Sequence, residues 1–192
     1  MNVIAPIREA ASSHVTEHVD VLIVGAGISG IGSAYQLTKQ MPDTRFVILE
    51  SQDSFGGTWR THRYPGIRSD SDLHTFGYSF KPWVGPPIAT AEEILGYMGD
   101  VIEENDLDRH IRYGHRIVSA SWSSATNLWT VHAVKGRDQE PVTFTANFLW
   151  MCQGYYRHSK GYTPEWPDMA TFKGRIVHPQ LWPDDLDLTG KQ

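Results

Sequence analysis

The chain has 192 residues, a net charge of −5 and one cysteine. It is long enough to bury a core, carries no basic footprint for nucleic acid, and excludes an internal disulfide or a multi-cysteine metal site. No stretch approaches the roughly 18 consecutive apolar residues of a membrane span, and residues 1–18 lack the apolar core of a secretion signal, so a soluble protein of the reducing cytoplasm is expected.

Residues 1–18 read as a frayed tail. Val21–Val24 is a short apolar run closed by a turn, the pattern of a buried parallel strand. Gly25, Gly27 and Gly30 then stand in G-x-G-x-x-G spacing. The first glycine permits a tight turn, the second lets backbone approach a pyrophosphate, and the third lets a helix pack close to the strand. The helix is expected from Ser29 to about Lys39, and its free N–H groups face any bound phosphate. Pro42-Asp43 ends it, and Phe46–Leu49 reads as a second strand, giving one right-handed βαβ unit. Glu50 lies twenty positions past Gly30, where a strand-end carboxylate accepts hydrogen bonds from ribose hydroxyls. The bland alternative is a solvated glutamate beside a structural turn.

From Ser51 to Pro87 periodicity is lost amid Gly, Pro, aromatic and charged residues, and a loop this long in a compact domain is usually functional. Gly56-Gly57 again lets backbone pass close to a ligand, which a nicotinamide-only fold does not require. Thr90 and Glu93 form a capping-box pattern ahead of an apolar stripe at Ile94, Leu95, Met98, Val101 and Ile102. Alternation then shifts to period two over Arg116–Trp122, Leu128–Val134 and Val142–Met151, an antiparallel meander whose last strand returns to the parallel sheet beside the first. The remainder, rich in Pro and Trp, looks extended. His62, His74, His110, His115 and His132 lack metal-ligand spacing, so no metal is expected, and Cys152 reads as a buried strand residue instead of a nucleophile.

Two longer stretches are more specific. GGTWRTHRYPGIRSD, with Gly57, Trp59, Tyr64, Pro65, Gly66 and Asp70 on motif positions, resembles the long fingerprint of the Baeyer–Villiger monooxygenases. FKGRIVHPQLWP, with Phe172, Gly174, His178, Trp182 and Pro183, resembles that family's second fingerprint, and the Trp-Pro ending separates it from the flavin-containing monooxygenases. Within the family the likeness is greatest to the branch that activates thioamide prodrugs. Gln153 departs from the small residue common before the strand-end glycine.

The resemblance implies an FAD-binding, doubly wound, mainly parallel α/β fold over 19–154, with an inserted meander at about 115–151 and a linker over 155–192 leading to an NADPH domain that family members carry further on. It implies that Gly25, Gly27, Ser29 and Gly30 hold the FAD pyrophosphate and that Glu50 holds the adenosine ribose. Gly57, Thr58, Trp59, Arg60 and Thr61 would line the flavin side, with the backbone of Val118 at the adenine. Arg68, Ser69 and Asp70 would approach both FAD and NADPH, with Asp70 in a catalytic role, orienting an active-site arginine. The implied reaction is oxidation of a ketone or a sulfur-containing substrate by molecular oxygen, with the present residues insufficient for turnover. A different class, a stand-alone FAD-binding or interaction module without turnover, fits the lack of a second dinucleotide motif. Trp59 and Tyr64 also fit aromatic core, Asp70 a turn cap, and His178 a hinge instead of an acid or base.

Overall fold

The structure, a computed structural model, describes residues 16–190. Strand β1 (Thr16–Val24) starts earlier than its apolar run. The expected tail over residues 1–18 is therefore corrected at its end, and its first fifteen positions lie outside the described residues. Thr16, Glu17 and His18 are exposed and extended because they pair with Thr143, Phe144 and Thr145 of β6 (Glu140–Met151), with His18 Nδ1 2.9 Å from the Thr145 hydroxyl. Long-range pairing, not local pattern, makes them strand.

Strand β1 also pairs in parallel with β2 (Phe46–Leu49), and β2 in turn with the short β3 (Ile111–Arg112), which has too little sequence to show a period. Strands β4 (His115–Ser123) and β5 (Leu128–Lys135) complete the expected meander with β6, and the six-stranded order is β3-β2-β1-β6-β5-β4.

The sheet does not stay flat. His115 N–H, at the start of β4, donates to the Glu50 carbonyl at 2.8 Å although three strands separate β4 from β2 in the sheet order. The curl encloses a core of Val19, Leu22, Val47, Leu49, Val131, Ala133, Phe144 and Ala146. Against the opposite face pack α1 (Ile28–Gln40) and α4 (Ala91–Glu104), burying Val21, Ile23 and Ile48 under Ile31, Ala34, Ile94, Met98 and Val101. The meander therefore closes one side of β1 and β2 and the helices the other, as two-sided burial of parallel strands demands, while Phe148, Trp150 and Met151 at the end of β6 stay exposed. Helix α4 starts on the expected capping box, Thr90 N–H donating to Glu93 Oε2 at 2.7 Å and Glu93 N–H to Thr90 Oγ1 at 3.3 Å.

Between β2 and α4 the chain forms two single-turn helices, α2 (Thr58–Thr61) and α3 (Leu73–Phe76). Aromatics pin this long segment. Tyr78 donates its hydroxyl to Ile28 O at 2.5 Å and its N–H to the Tyr97 hydroxyl at 2.7 Å, while Phe80 stacks on Tyr35. Burial, then the neighbouring Tyr97, pushes the Tyr78 phenol well above its ordinary range. Residues 155–190 run extended around 3-10 turns at Met169–Thr171 and Pro179–Leu181, leaving Tyr162, Trp166 and Phe172 exposed.

Candidate functional site

The glycine turn leaves the end of β1 at Gly25, whose N–H donates to Leu49 O at 2.8 Å. Its φ of +96 and the Cys152 carbonyl, which would lie 2.9 Å from an added Cβ, admit only glycine. Gly27 is the N-cap of α1, with no side chain bonded to the helix start and no acid in the first turn. The first intrahelical bond belongs to Ile31 N–H, which donates to Gly27 O at 3.1 Å. The N–H groups before it, including that of the exposed Ser29, are thus available at the positive end of the helix dipole.

The second glycine turn lies against the first. Gly56 N–H donates to Ala26 O at 3.0 Å, and a Cβ on Gly57 would stand 3.1 Å from the Gly27 Cα. Helix α2 follows at once, its Arg60 and Thr61 N–H groups donating to Gly57 O at 3.2 and 2.9 Å. Trp59 packs against the helical core with its ring edge-on to Phe76, so the core reading of this residue holds alongside its motif position. Thr61 Oγ1 accepts from the Gln52 side chain at 3.0 Å, Thr58 is exposed, and Arg60 reaches Asp53 at 3.7 Å.

Glu50 is buried, 6 % exposed, at the end of β2. Its Oε2 accepts from Ala26 N–H and its Oε1 from Gln52 N–H, both at 2.8 Å. It is not the solvated glutamate of the bland alternative: it ties the ends of β1 and β2 together, Oε1 also accepts from the Ser51 hydroxyl at 3.3 Å, and Oε2 keeps a lone pair for a further donor. Val118, on the edge strand β4, falls where the pairing with β5 shifts between Ile117 and Ser119, which leaves its backbone outside the ladder.

The first fingerprint's end is placed differently. Ser69 is buried, and its N–H and hydroxyl are both engaged with Ala89, at 2.8 and 3.1 Å. Arg68 bridges to Thr90. Asp70 is exposed beside the Ser71 hydroxyl at 3.2 Å, and the cap of α3 is made by Asp72, which accepts from His74 N–H at 2.8 Å. The turn-cap alternative therefore belongs to Asp72, not Asp70.

In the second fingerprint, His178 Nδ1 accepts from Gln180 N–H at 3.1 Å, which puts the ring proton on Nε2, facing Tyr162 O at 3.2 Å. Both nitrogens serve backbone, which agrees with a structural role. The ring borders an open hollow of about 620 Å³ that Tyr162, Trp166, Met169, Arg175 and Leu181 also line. Cys152 lies just beyond β6, half-buried against the Ser33 hydroxyl at 3.7 Å, and burial raises its thiol pKa, the opposite of what activates a nucleophile. Among the described residues no group of three or more His, Cys, Asp or Glu could hold a metal, and no helix is long and apolar enough to cross a membrane.

The NAD(P)-binding Rossmann-like domain family matches residues 23–84, the span that holds both glycine turns and Glu50. AlmA of Acinetobacter sp, named a probable FAD-binding monooxygenase, is 50% identical over 177 residues, which is 92% of this chain and 35% of that protein. The FAD-containing monooxygenase EthA of Mycolicibacterium smegmatis is 48% identical over 179 residues, 93% of this chain and 36% of that protein. The chain is a homologue of the FAD-containing monooxygenases. It spans about a third of the length of these curated relatives. The open crystal structure of cyclohexanone monooxygenase superposes with a TM-score of 0.73 at 31% identity, covering 90% of this chain and 34% of that one. Oxidised steroid monooxygenase bound to NADP gives 0.69 at 32%, covering 88% and 32%. The likeness to Baeyer–Villiger monooxygenases carried by the two fingerprints is borne out by these relatives.

Sequence reading missed two contacts that shape this region. Tyr78, which holds the first turn of α1 through Ile28 O, sits on no motif and has no local signal. The approach of the second fingerprint to the first, Trp182 against Tyr64 at 6.4 Å between ring centroids, was legible only as two separate matches.

Proposed function

We propose that this chain is the FAD-binding, amino-terminal portion of an NADPH- and oxygen-dependent monooxygenase of the Baeyer–Villiger type, acting on a ketone or a sulfur-containing substrate. The observation that carries the reading is the double glycine turn: Gly27 and Gly57 face each other beside the N–H groups that open α1, which no described side chain caps, and apart from Gly27's own neighbours only Gly57 among the described residues stands within 4 Å of where a Gly27 Cβ would be. A bulky side chain would fill that cradle, and backbone donors with a helix dipole suit an anion such as a pyrophosphate. Glu50, bonded to Ala26 N–H beside that turn, keeps acceptor capacity on Oε2 for a ribose hydroxyl, and Val118 offers backbone outside the ladder to an adenine edge.

When bound, FAD would supply the redox chemistry between NADPH and molecular oxygen. The residues of this chain bind and orient. Gly25 shapes the turn with its N–H bonded to Leu49 O, while Gly27, Ser29 and Gly30 present the helix start to phosphate, Glu50 fixes the ribose, and Gly57, Thr58, Trp59, Arg60 and Thr61 line the flavin side. Arg68 and Asp70, exposed on one loop, face the groups that come from elsewhere in the monooxygenase, with Asp70 orienting a cation there, while Ser69 holds that loop to Ala89.

The test is reconstitution. Residues 1–192 are purified, mixed with FAD and freed of excess ligand, and absorbance is recorded. Retained flavin without ketone-dependent NADPH consumption is the expected result. A folded chain that retains no flavin overturns the cofactor assignment, and NADPH consumption by these residues alone overturns the division of labour.

A further inference from the structure

An aromatic cluster joins three stretches far apart in sequence. Tyr64 meets Trp182 at 6.4 Å between centroids, and His62 meets Tyr64 at 6.3 Å and Tyr156 at 5.6 Å, both edge-on. Arg63 and Asp184 add an ion pair at 3.9 Å, exposed and therefore weak. The segment after β6 is thus pinned near both ends, at Tyr156 and Trp182. Between the pins its aromatics are left in water, Tyr162 at 85% and Trp166 at 64% exposure.

The cluster is also rigidly connected to the glycine cradle. His62 donates through both its N–H and its Nδ1 to Thr58 O, each at 3.1 Å, and Thr58 opens the helical turn whose Arg60 and Thr61 hang from Gly57 O. Gly57 lies on Gly27, and Gly56 is bonded to Ala26 O. The path from Trp182 to Gly27 runs through the Tyr64 and His62 rings, the hydrogen bonds of His62 to Thr58 O, the Gly56–Thr58 backbone and the bond of Gly56 N–H to Ala26 O, a contiguous set of contacts of the kind that carries coupling between sites.

We propose that His62, Tyr64, Tyr156 and Trp182 form a latch that ties the 155–184 strap to the second glycine turn, so that strap position and dinucleotide binding are coupled. Tyr64 and Trp182 are positioning residues. They act on the cradle through the Thr58–His62 turn. The latch rests on the FAD reading above, and its sign follows from geometry: a strap released from Tyr64 frees the Gly56–Thr61 segment to move off Gly27, and the cradle loosens.

The experiment is a double-mutant cycle with two readouts on residues 1–192, FAD affinity by flavin fluorescence and stability by urea unfolding. The variants are Tyr64→Ala, Trp182→Ala and the pair together, with Trp166→Ala as a control in the same strap. Loss of one tilted aromatic pair corresponds to roughly a three- to tenfold change. Tyr64→Ala and Trp182→Ala are expected to weaken FAD binding by that factor each, the double variant no further, and Trp166→Ala not at all. FAD affinity unchanged in Trp182→Ala, or losses that multiply in the double variant, overturn the latch. A wild-type chain that binds no FAD overturns the function proposed above instead. In that case the urea cycle decides: non-additive effects of Tyr64 and Trp182 uphold the tether and additive effects remove it.

Discussion

Replacing Gly27 and Gly30 one at a time by alanine separates two jobs of the first glycine turn. At Gly27 the backbone is extended, φ −79 and ψ −174, which alanine adopts freely, and among the described residues an added Cβ meets the Gly57 Cα alone, at an ordinary 3.7 Å. Alanine caps a helix less well than glycine but trims unfolded-state entropy by ~0.4–1 kcal/mol, so stability should stay within about 1 kcal/mol of wild type. The methyl nevertheless occupies the close approach that the proposed pyrophosphate contact needs. Losing one charge-assisted hydrogen bond, ~1.5–3 kcal/mol, lowers FAD affinity about ten- to hundredfold. At Gly30 the added Cβ would overlap the Gly25 carbonyl oxygen and stand 3.1 Å from its carbon, both backbone, so α1 must shift off β1. Overpacking of this kind costs ~1–3 kcal/mol, a fall in Tm of roughly 2–12 °C for a chain of this size. Circular-dichroism melting and FAD titration on the same samples read both effects. A Gly27→Ala chain with wild-type melting and wild-type FAD affinity would refute the phosphate assignment, and a Gly30→Ala chain that melts like wild type would refute the packing argument.

Glu50→Ala strands the Ala26 and Gln52 N–H groups at ~1–3 kcal/mol each, so melting should fall even without ligand, and Glu50→Gln, whose amide oxygen serves one donor, should recover part of the loss. Tyr78→Phe removes the hydroxyl bonded to Ile28 O and should cost ~1 kcal/mol in urea unfolding with unchanged secondary structure. His110 stacks on Phe46, and burial, then the charges of Arg109 and Arg112, holds its pKa below the ordinary histidine value, with a bond to Phe46 O opposing. Because the folded form resists the proton, its stabilising contribution is complete above about pH 6.5 and is lost as pH falls toward the depressed folded value. His110→Phe should therefore flatten the loss of Tm between pH 7.5 and 5.5, and an unchanged slope would show that other groups set it. Asp70→Ala, at an exposed site bonded to Ser71, should leave Tm and FAD affinity unaltered, whereas a drop in Tm would give Asp70 a structural role and a drop in FAD affinity alone a direct contact with the flavin nucleotide.

The local signals were sufficient wherever one segment decides its own state. Val21–Val24, the glycine spacing, the Thr90–Glu93 box and the two-residue alternation of β4 to β6 each encode a backbone preference or a burial pattern within a few residues, so strand, turn, helix and meander could be placed from them. The fingerprints likewise name the family because they fix side chains at many positions at once. What pattern alone left undecided depends on partners far along the chain. Thr16–His18 became strand only through Thr143–Thr145, and β3 only because β2 had an open edge. The curl that brings His115 to Glu50, the burial of Ser69 under Ala89, the anchoring of α1 by Tyr78 and the meeting of Tyr64 with Trp182 are set by packing between segments. No period or spacing records such contacts, because their energy comes from surfaces that exist only once the sheet has closed.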